Sequence, residues 1–124
     1  RYWRAGAYQP EAFQYGWMPP HPTFFAKRHL FEQYGAFNTT LVSAADYELM
    51  LRFCYCNPSN LTYVPEVLVK MRVGGISNAT LNNRIRANNE DRQAWTINGL
   101  TPLPFTLMLK PLRKIPQFFC CLQN

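Results

Sequence analysis

The sequence lacks the features of a membrane-spanning, repetitive or disordered protein. It contains no run of about 18 apolar residues, so no segment is expected to cross a bilayer as a helix. It also contains no internal repeat and no low-complexity linker. With 124 residues, 48% of them hydrophobic and 15% aromatic, the chain is long enough for one folded domain and too short for two.

The cysteines are poorly spaced for a metal site. The cysteines are Cys54, Cys56 and the adjacent pair Cys120 and Cys121. Neither pair has the two-residue gap of a zinc knuckle, and no histidine lies near either pair. We therefore expect reduced thiols in a cytosolic protein. The opening "RYWRAGAYQP" has neither the apolar stretch of a signal peptide nor an initiator methionine, so we expect a piece cut from a longer protein.

Acidic residues are few, with 7 against 13 basic residues and a net charge of +6. This excess favours anionic partners such as phosphate groups or an acidic membrane surface. Nucleic acid is not expected, because no helix-turn-helix, zinc-finger or RNP pattern is present. A non-catalytic basic module for nucleic acid or an anionic membrane surface is the alternative to the function inferred below. A structural fragment without retained binding is a second alternative.

Strand and helix patterns alternate along the chain. Strands are predicted over residues 23–27, 61–64 and 67–73. Helices are predicted from residue 28 to a stop at Gly35, after Ser43, and from Thr80 to a stop at Gly99. In the helix after Ser43 an apolar face is predicted from Leu49, Met50, Phe53, Cys54 and Cys56. This alternation predicts an α/β fold whose sheet is too small to close alone.

Three sequence blocks carry a resemblance to a known enzyme family. In chain order they are "GWMPPHPTFFAKRHLFEQYGAFN", "AADYELMLRF" and "YVPEVLVKMRVGGISN". Together they resemble the family-two glycosyltransferases, inverting enzymes of the GT-A fold, over roughly residues 16–98. The resemblance is strongest to bacterial transferases that build surface polysaccharides. It implies a sugar transfer from a nucleotide-sugar donor to a saccharide or lipid-linked acceptor, at the cytoplasmic side of the membrane or in the cytoplasm.

The sequence also departs from this family. Family members carry an N-terminal nucleotide-binding half and a D-x-D motif that holds Mg²⁺ or Mn²⁺, and neither is present here. The chain therefore resembles the C-terminal, acceptor-side half of the Rossmann-like GT-A fold. We expect a small mixed sheet with flanking helices over residues 1–99 and an apolar, basic segment over residues 100–124. Alone, such a piece is expected to be inactive, to bind donor nucleotide weakly and to self-associate.

Asp46 is the predicted catalytic base. An inverting transfer needs a group that takes the proton of the acceptor hydroxyl while that oxygen attacks the anomeric carbon. The resemblance implies an acidic residue at the start of a helix, and "AADYE" places Asp46 there. A helix N-terminus favours the ionised carboxylate, which accepts protons. Alternatively, Asp46 and Ser43 only cap the helix. Glu48 points about 200° away around the helix and is the poorer candidate.

His21 and Trp17 are the predicted contacts to the substrates. Prolines on both sides of His21 restrict its backbone in "GWMPPHPTFF". An imidazole held in this way can ligate a metal or contact the donor diphosphate, and the resemblance places this position beside the donor and acceptor pocket. A histidine bonded to the backbone of a turn is the alternative. The indole of Trp17 can stack on a sugar ring, or it can be a core residue.

The end of the last predicted strand supplies further binding candidates, namely Arg72, Gly74, Gly75 and Ser77 in "MRVGGIS". The two glycines permit close approach of the backbone to the active site, and Arg72 can meet a phosphate. Turn formation explains the glycines equally well.

The C-terminal segment mixes apolar and basic side chains: Phe105, Leu109, Leu112, Ile115 and Phe119, with Lys110, Arg113 and Lys114. This mixture predicts a broken amphipathic element at a membrane surface, which would suit a lipid-linked acceptor. Packing on the rest of the domain is the alternative.

Overall fold

Helices joined by irregular segments form the chain in the computed structural model, which describes residues 3, 5–58, 61–71, 81–113 and 115. The elements are a 3₁₀-helix (Pro10–Tyr15), a 3₁₀ turn (His21–Thr23), α1 (Arg28–Tyr34), α2 (Ala45–Met50) with a π-helical continuation (Leu51–Cys56), α3 (Leu81–Ile97) and α4 (Thr106–Leu112). Two predicted helix stops are confirmed: Gly35 follows α1 with a φ of 89°, and Gly99 lies just beyond α3 with a φ of 69°.

The prediction of an α/β fold with a small mixed sheet is wrong, because the described residues form no strand. A strand was predicted over residues 23–27. The first of these residues belongs to the 3₁₀ turn, and the other four are irregular and have no strand partner among the described residues. Residues 61–71 are irregular and exposed throughout. β-branched, alternating sequences form strands only when a neighbouring backbone pairs with them. The described part of the chain offers these segments no such neighbour.

The core surrounds α2 and its π-helical continuation. It consists of Phe13, Ala44, Tyr47, Leu49, Met50, Leu51, Phe53, Cys54, Ala94 and Trp95. The predicted apolar face is confirmed except at Cys56, which is exposed. A π-helix bonds residues five apart, so the spacing of an ordinary helix no longer holds beyond Leu51. Cys54 and Cys56 are free thiols, and burial raises the pKa of Cys54 to about 12.

The C-terminal segment packs on the N-terminal one through α4. The Thr106 hydroxyl donates a hydrogen bond of 2.6 Å to the carbonyl oxygen of Gln14, and both Thr106 and Leu107 are buried. α4 also comes very close to Gly16, whose φ is 77°. A Cβ atom there would lie 2.5 Å from the backbone nitrogen of Lys110. Part of the segment predicted to lie at a membrane therefore packs on the domain.

Candidate active site

His21 is held in a short turn made by its neighbouring prolines. The turn is closed by hydrogen bonds from the backbone N–H of Thr23 to Pro20 O, at 2.9 Å, and from that of Phe24 to His21 O, at 3.1 Å. The Thr23 hydroxyl adds a 2.9 Å bond to the same Pro20 oxygen. Because proline fixes φ near −65°, this sequence leaves the backbone around His21 few alternatives. The turn thereby fixes the backbone that carries the imidazole.

The structure brings His21 and Asp46 together. The His21 Nδ1 atom lies 3.1 Å from the Asp46 Oδ2 atom, with 59% of the histidine side chain and 34% of the aspartate side chain exposed. The other carboxylate oxygen of Asp46 accepts a 2.8 Å hydrogen bond from the backbone N–H of Tyr47. These contacts fix the carboxylate while leaving part of it open to solvent. Two residues predicted separately for one active site therefore meet at an accessible surface.

This contact determines what each group can do chemically. A carboxylate has about four acceptor positions, so Asp46 keeps lone pairs for a substrate hydroxyl after these two contacts. When Nδ1 of His21 carries the ring hydrogen, the neutral ring presents Nε2 as an acceptor. Either Asp46 or Nε2 can thus receive a proton from a bound hydroxyl group. The pair of His21 and Asp46 can therefore support acid–base chemistry at this exposed position.

Trp17 belongs partly to the core. Its indole N–H donates a 2.8 Å hydrogen bond to the carbonyl oxygen of Ala5. Its ring packs edge-on against Phe13, with 5.4 Å between ring centroids, and contacts Tyr8 at 5.9 Å. These contacts are those of a core residue, which is one of the two alternatives that the sequence left open for Trp17. Sugar stacking on the rest of the ring stays a prediction.

The start of α2, and with it Asp46, is fixed by a residue that sequence reasoning missed. The helix was predicted to be capped by Ser43, but its N-cap residue is Ala44 and no side chain of the cap residue bonds to the helix. Instead, the Glu90 carboxylate in α3 accepts hydrogen bonds from the backbone N–H groups of Ser43, at 2.5 Å, and Ala44, at 3.1 Å. Arg86 donates a further 3.0 Å bond to Glu90.

This cap makes stability depend on pH. Burial by itself raises the pKa of Glu90, but the hydrogen bonds from Ser43, Arg86 and Ala44 outweigh burial, so the pKa lies below its ordinary value. The ionised group therefore stabilises the fold fully above the unfolded value of about 4.3, and this contribution is lost as the pH falls through the lower folded pKa.

We expect Glu90→Gln to lower the free energy of unfolding at pH 7 by about 1 kcal/mol, the usual worth of a helix cap. The free energy of unfolding of this variant should also decline less steeply with falling pH than that of the unmodified chain. Urea titrations between pH 3 and 7 measure both effects. Glu32→Gln is the matched control, because Glu32 pairs with Arg28 on the surface of α1 and such pairs contribute little. Identical pH profiles for Glu90→Gln and the unmodified chain would contradict this role.

A second missed cluster joins three helices beneath the site. The Lys110 ammonium of α4 lies 2.6 Å from the Asp91 carboxylate of α3 and 3.6 Å from the ring centroid of Tyr47 in α2. Trp95 of α3 donates a 2.9 Å hydrogen bond to the Tyr47 hydroxyl. Burial, with Asp91 nearby, raises the pKa of Tyr47. Asp91 and Trp95 of α3 are thus buried and paired.

Glu48 is buried in a separate network. Its carboxylate accepts two 3.0 Å bonds from Arg52 and one 3.0 Å bond from the Asn98 side chain. Arg52 also donates to the carbonyl oxygens of residues 34–36. With 1% of its surface exposed, Glu48 cannot reach a substrate. The choice of Asp46 over Glu48 agrees with these positions.

Several predicted site features cannot be placed. Arg72, Gly74, Gly75 and Ser77 lie outside the described residues, as do Lys114, Phe119, Cys120 and Cys121. His21 and Asp46 offer two donor atoms to a metal, but the described residues contain no group of three or more His, Cys, Asp or Glu side chains that could hold one. These residues therefore do not fit a Mg²⁺ or Mn²⁺ site by themselves, and we assign no step to a metal.

A cavity of about 470 Å³ lies at the C-terminal end of α3, lined by Arg92, Thr96, Gly99, Leu100, Thr101 and Pro102. No predicted site residue lines it.

Among the described helices, none combines the length and apolarity needed to cross a membrane. In comparisons with known proteins, no protein-family model, no curated protein and no solved structure matches this chain.

Proposed function

We propose that this chain supplies the acceptor side of an inverting, nucleotide-sugar-dependent glycosyltransferase, with Asp46 as the catalytic base. The observation that supports this proposal is the 3.1 Å contact between His21 and Asp46. The two residues come from separate sequence blocks that resemble this enzyme family, and they converge at an exposed position. A residue that merely capped its helix would need neither the histidine nor the exposure.

In the proposed reaction, the acceptor hydroxyl gives its proton to the Asp46 carboxylate while its oxygen attacks the anomeric carbon of the donor sugar. The bond from that carbon to the nucleoside diphosphate breaks, and the diphosphate leaves with the electron pair. Attack from the opposite side inverts the anomeric centre. The hydrogen bond from the Tyr47 N–H to Asp46 and the His21 contact hold the carboxylate in one orientation for this transfer.

His21 is proposed as the positioning residue. Its Nδ1 atom faces Asp46, and the proline-bounded turn restricts the backbone that carries the ring. The remaining ring nitrogen is available to the donor diphosphate or to the acceptor hydroxyl. The same geometry fits a second assignment, in which Asp46 orients His21 and Nε2 takes the proton, as in hydrolase triads. The experiment below separates these two assignments.

The substrates, the cellular location and the metal ligands of the complete enzyme are also part of the proposal. The complete enzyme would use a nucleotide-sugar donor and a saccharide or lipid-linked acceptor, in polysaccharide biosynthesis. It would act in the cytoplasm or at the inner face of the membrane. A donor-binding segment with a D-x-D motif would supply the metal ligands. The net charge of +6 is consistent with an anionic donor or an anionic membrane surface.

We expect Asp46→Asn to lower turnover about 10²-fold or more in the full-length enzyme, because the amide keeps the shape of the side chain but cannot take the proton. Release of nucleoside diphosphate from a panel of UDP- and GDP-sugars, in the presence of saccharide acceptors, measures this loss. His21→Gln should reduce turnover less than Asp46→Asn does.

Glu32→Gln on the exposed surface of α1 serves as the control for the loss of a carboxylate. Far-UV circular dichroism must show that each variant is folded. A loss of turnover in His21→Gln as large as that in Asp46→Asn, or larger, would assign the proton to His21. Near-normal turnover in both variants would contradict the proposed active site.

A further inference from the structure

Residues 61–71 form the longest continuously exposed segment among the described residues. All eleven are exposed, and none takes part in a helix or strand. No hydrogen bond within the described part of the chain involves this segment. Yet the segment carries large apolar side chains that are 37–70% exposed: Leu61, Tyr63, Val64, Val67, Leu68, Val69 and Met71. Unpaired backbone with alternating apolar side chains is a template for strand pairing.

The sequence around Leu68 is complementary to itself in the antiparallel direction. When two copies are aligned with Leu68 opposite Leu68, Val67 of each lies opposite Val69 of the other. Glu66 of each then lies opposite Lys70 of the other, which gives two opposite-charge pairs. Such directly opposed pairs stabilise antiparallel strands, whereas like charges in the same places destabilise them. No other residue of the segment 61–71 is charged, so the charges define this register.

The position of Pro65 is compatible with the same strand register. If Glu66, Leu68 and Lys70 occupy the hydrogen-bonded positions, Pro65 falls at a position whose N–H group is not needed in the ladder. Val67 and Val69 then occupy the closely spaced positions, where facing side chains approach most. Together with Met71, they form one continuous apolar face of six side chains from the two copies. The segment bends at Glu66, so that residue becomes extended when the copies pair.

We propose that residues 65–71 are a dimerisation strand, which pairs with the same segment of a second copy around a two-fold axis at Leu68. Each copy keeps its helical fold, and the strand forms only between copies. In a two-fold pair both copies use the same surface, so this interface joins two chains. This interaction involves residues other than His21 and Asp46 and does not depend on the proposed activity.

Charge reversal tests the register. Glu66→Lys places lysine opposite lysine twice, and Lys70→Glu places glutamate opposite glutamate twice. We expect each variant alone to dissociate at least about tenfold more readily than the unmodified chain. Mixed in equal amounts, the two variants should form a heterodimer, because every opposed pair is again of opposite charge. Sedimentation equilibrium across a concentration series measures all three samples, at low salt to preserve the charge interactions.

Glu32→Lys on α1 is the matched control, because it makes the same charge change at an exposed residue outside the segment. It should leave dimerisation unchanged. Both segment variants replace exposed side chains, and circular dichroism confirms their fold. The proposal is overturned if the unmodified chain stays monomeric, if Glu66→Lys dimerises as tightly as the unmodified chain, or if the mixture does not pair. Pairing only with a different protein would likewise overturn it.

Discussion

Replacing Arg52 with methionine is expected to lower the free energy of unfolding by about 3–5 kcal/mol. Arg52 makes two hydrogen bonds to the buried carboxylate of Glu48. Its removal leaves that charge in the core with the Asn98 side chain as its one remaining side-chain donor among the described residues. It also releases the carbonyl oxygens of residues 34–36, at and just beyond the end of α1, which Arg52 ties to the π-helical continuation of α2. Urea denaturation at pH 7 measures the loss.

A surface pair provides the control. Arg28 and Glu32 are also four residues apart, and their side chains are 92% and 61% exposed. Arg28→Met should therefore change stability by less than about 1 kcal/mol. Adding Glu48→Gln to Arg52→Met removes the unpaired charge and should recover part of the loss. If the double variant were no more stable than Arg52→Met alone, the buried charge would not be the cause.

Gly16→Ala is expected to destabilise the chain by about 2–6 kcal/mol. An alanine at a φ of 77° costs about 1–3 kcal/mol, and overpacking at this contact adds about 1–3 kcal/mol. The added Cβ would lie 2.5 Å from Lys110 N and 2.9 Å from Leu109 C, and both atoms belong to the backbone of α4. Neither neighbour can move aside as a flexible side chain would.

Gly99→Ala separates the two contributions. Its φ is 69°, but a Cβ there would meet no atom within 4 Å. It should therefore show only the conformational part, about 1–2 kcal/mol. Thermal and urea unfolding of the two variants gives the comparison. Equal losses would show that the contact between Gly16 and α4 contributes nothing.

The sequence predicted the local features of this chain well. Gly35 and Gly99 end helices as expected, because both have a positive φ and glycine adopts a positive φ readily since it lacks a Cβ atom. The apolar spacing through Cys54 correctly indicated the buried face of α2 and its continuation. The stiff turn at His21 follows from its prolines alone. Each of these features is decided by neighbours within a few residues.

The errors concern partners that are distant in the chain. The expected strands at residues 23–27 and 61–64 have β-type sequences, but a strand also needs a second backbone, which no local pattern supplies. Ser43 was the natural cap by sequence, yet Glu90 replaces it from α3. Lys110 was predicted to belong to an amphipathic element at a membrane surface, with packing on the domain as the alternative, and its ammonium group is paired with Asp91. His21 and Asp46 were each selected as site residues, but their direct contact was not predicted.

The cap supplied by Glu90 has a consequence for the order of folding. A six-residue helix such as α2 is not stable by itself, because nucleating a helix is unfavourable and the gain from so few residues is small. The backbone N–H groups of the two residues just before it find their acceptor only when a segment 46 or 47 residues later arrives. Asp46 therefore reaches its place beside His21 late in folding, after a long loop has closed. A ribosome that has released the chain only as far as residue 60 carries the chemical groups of this site without the site itself.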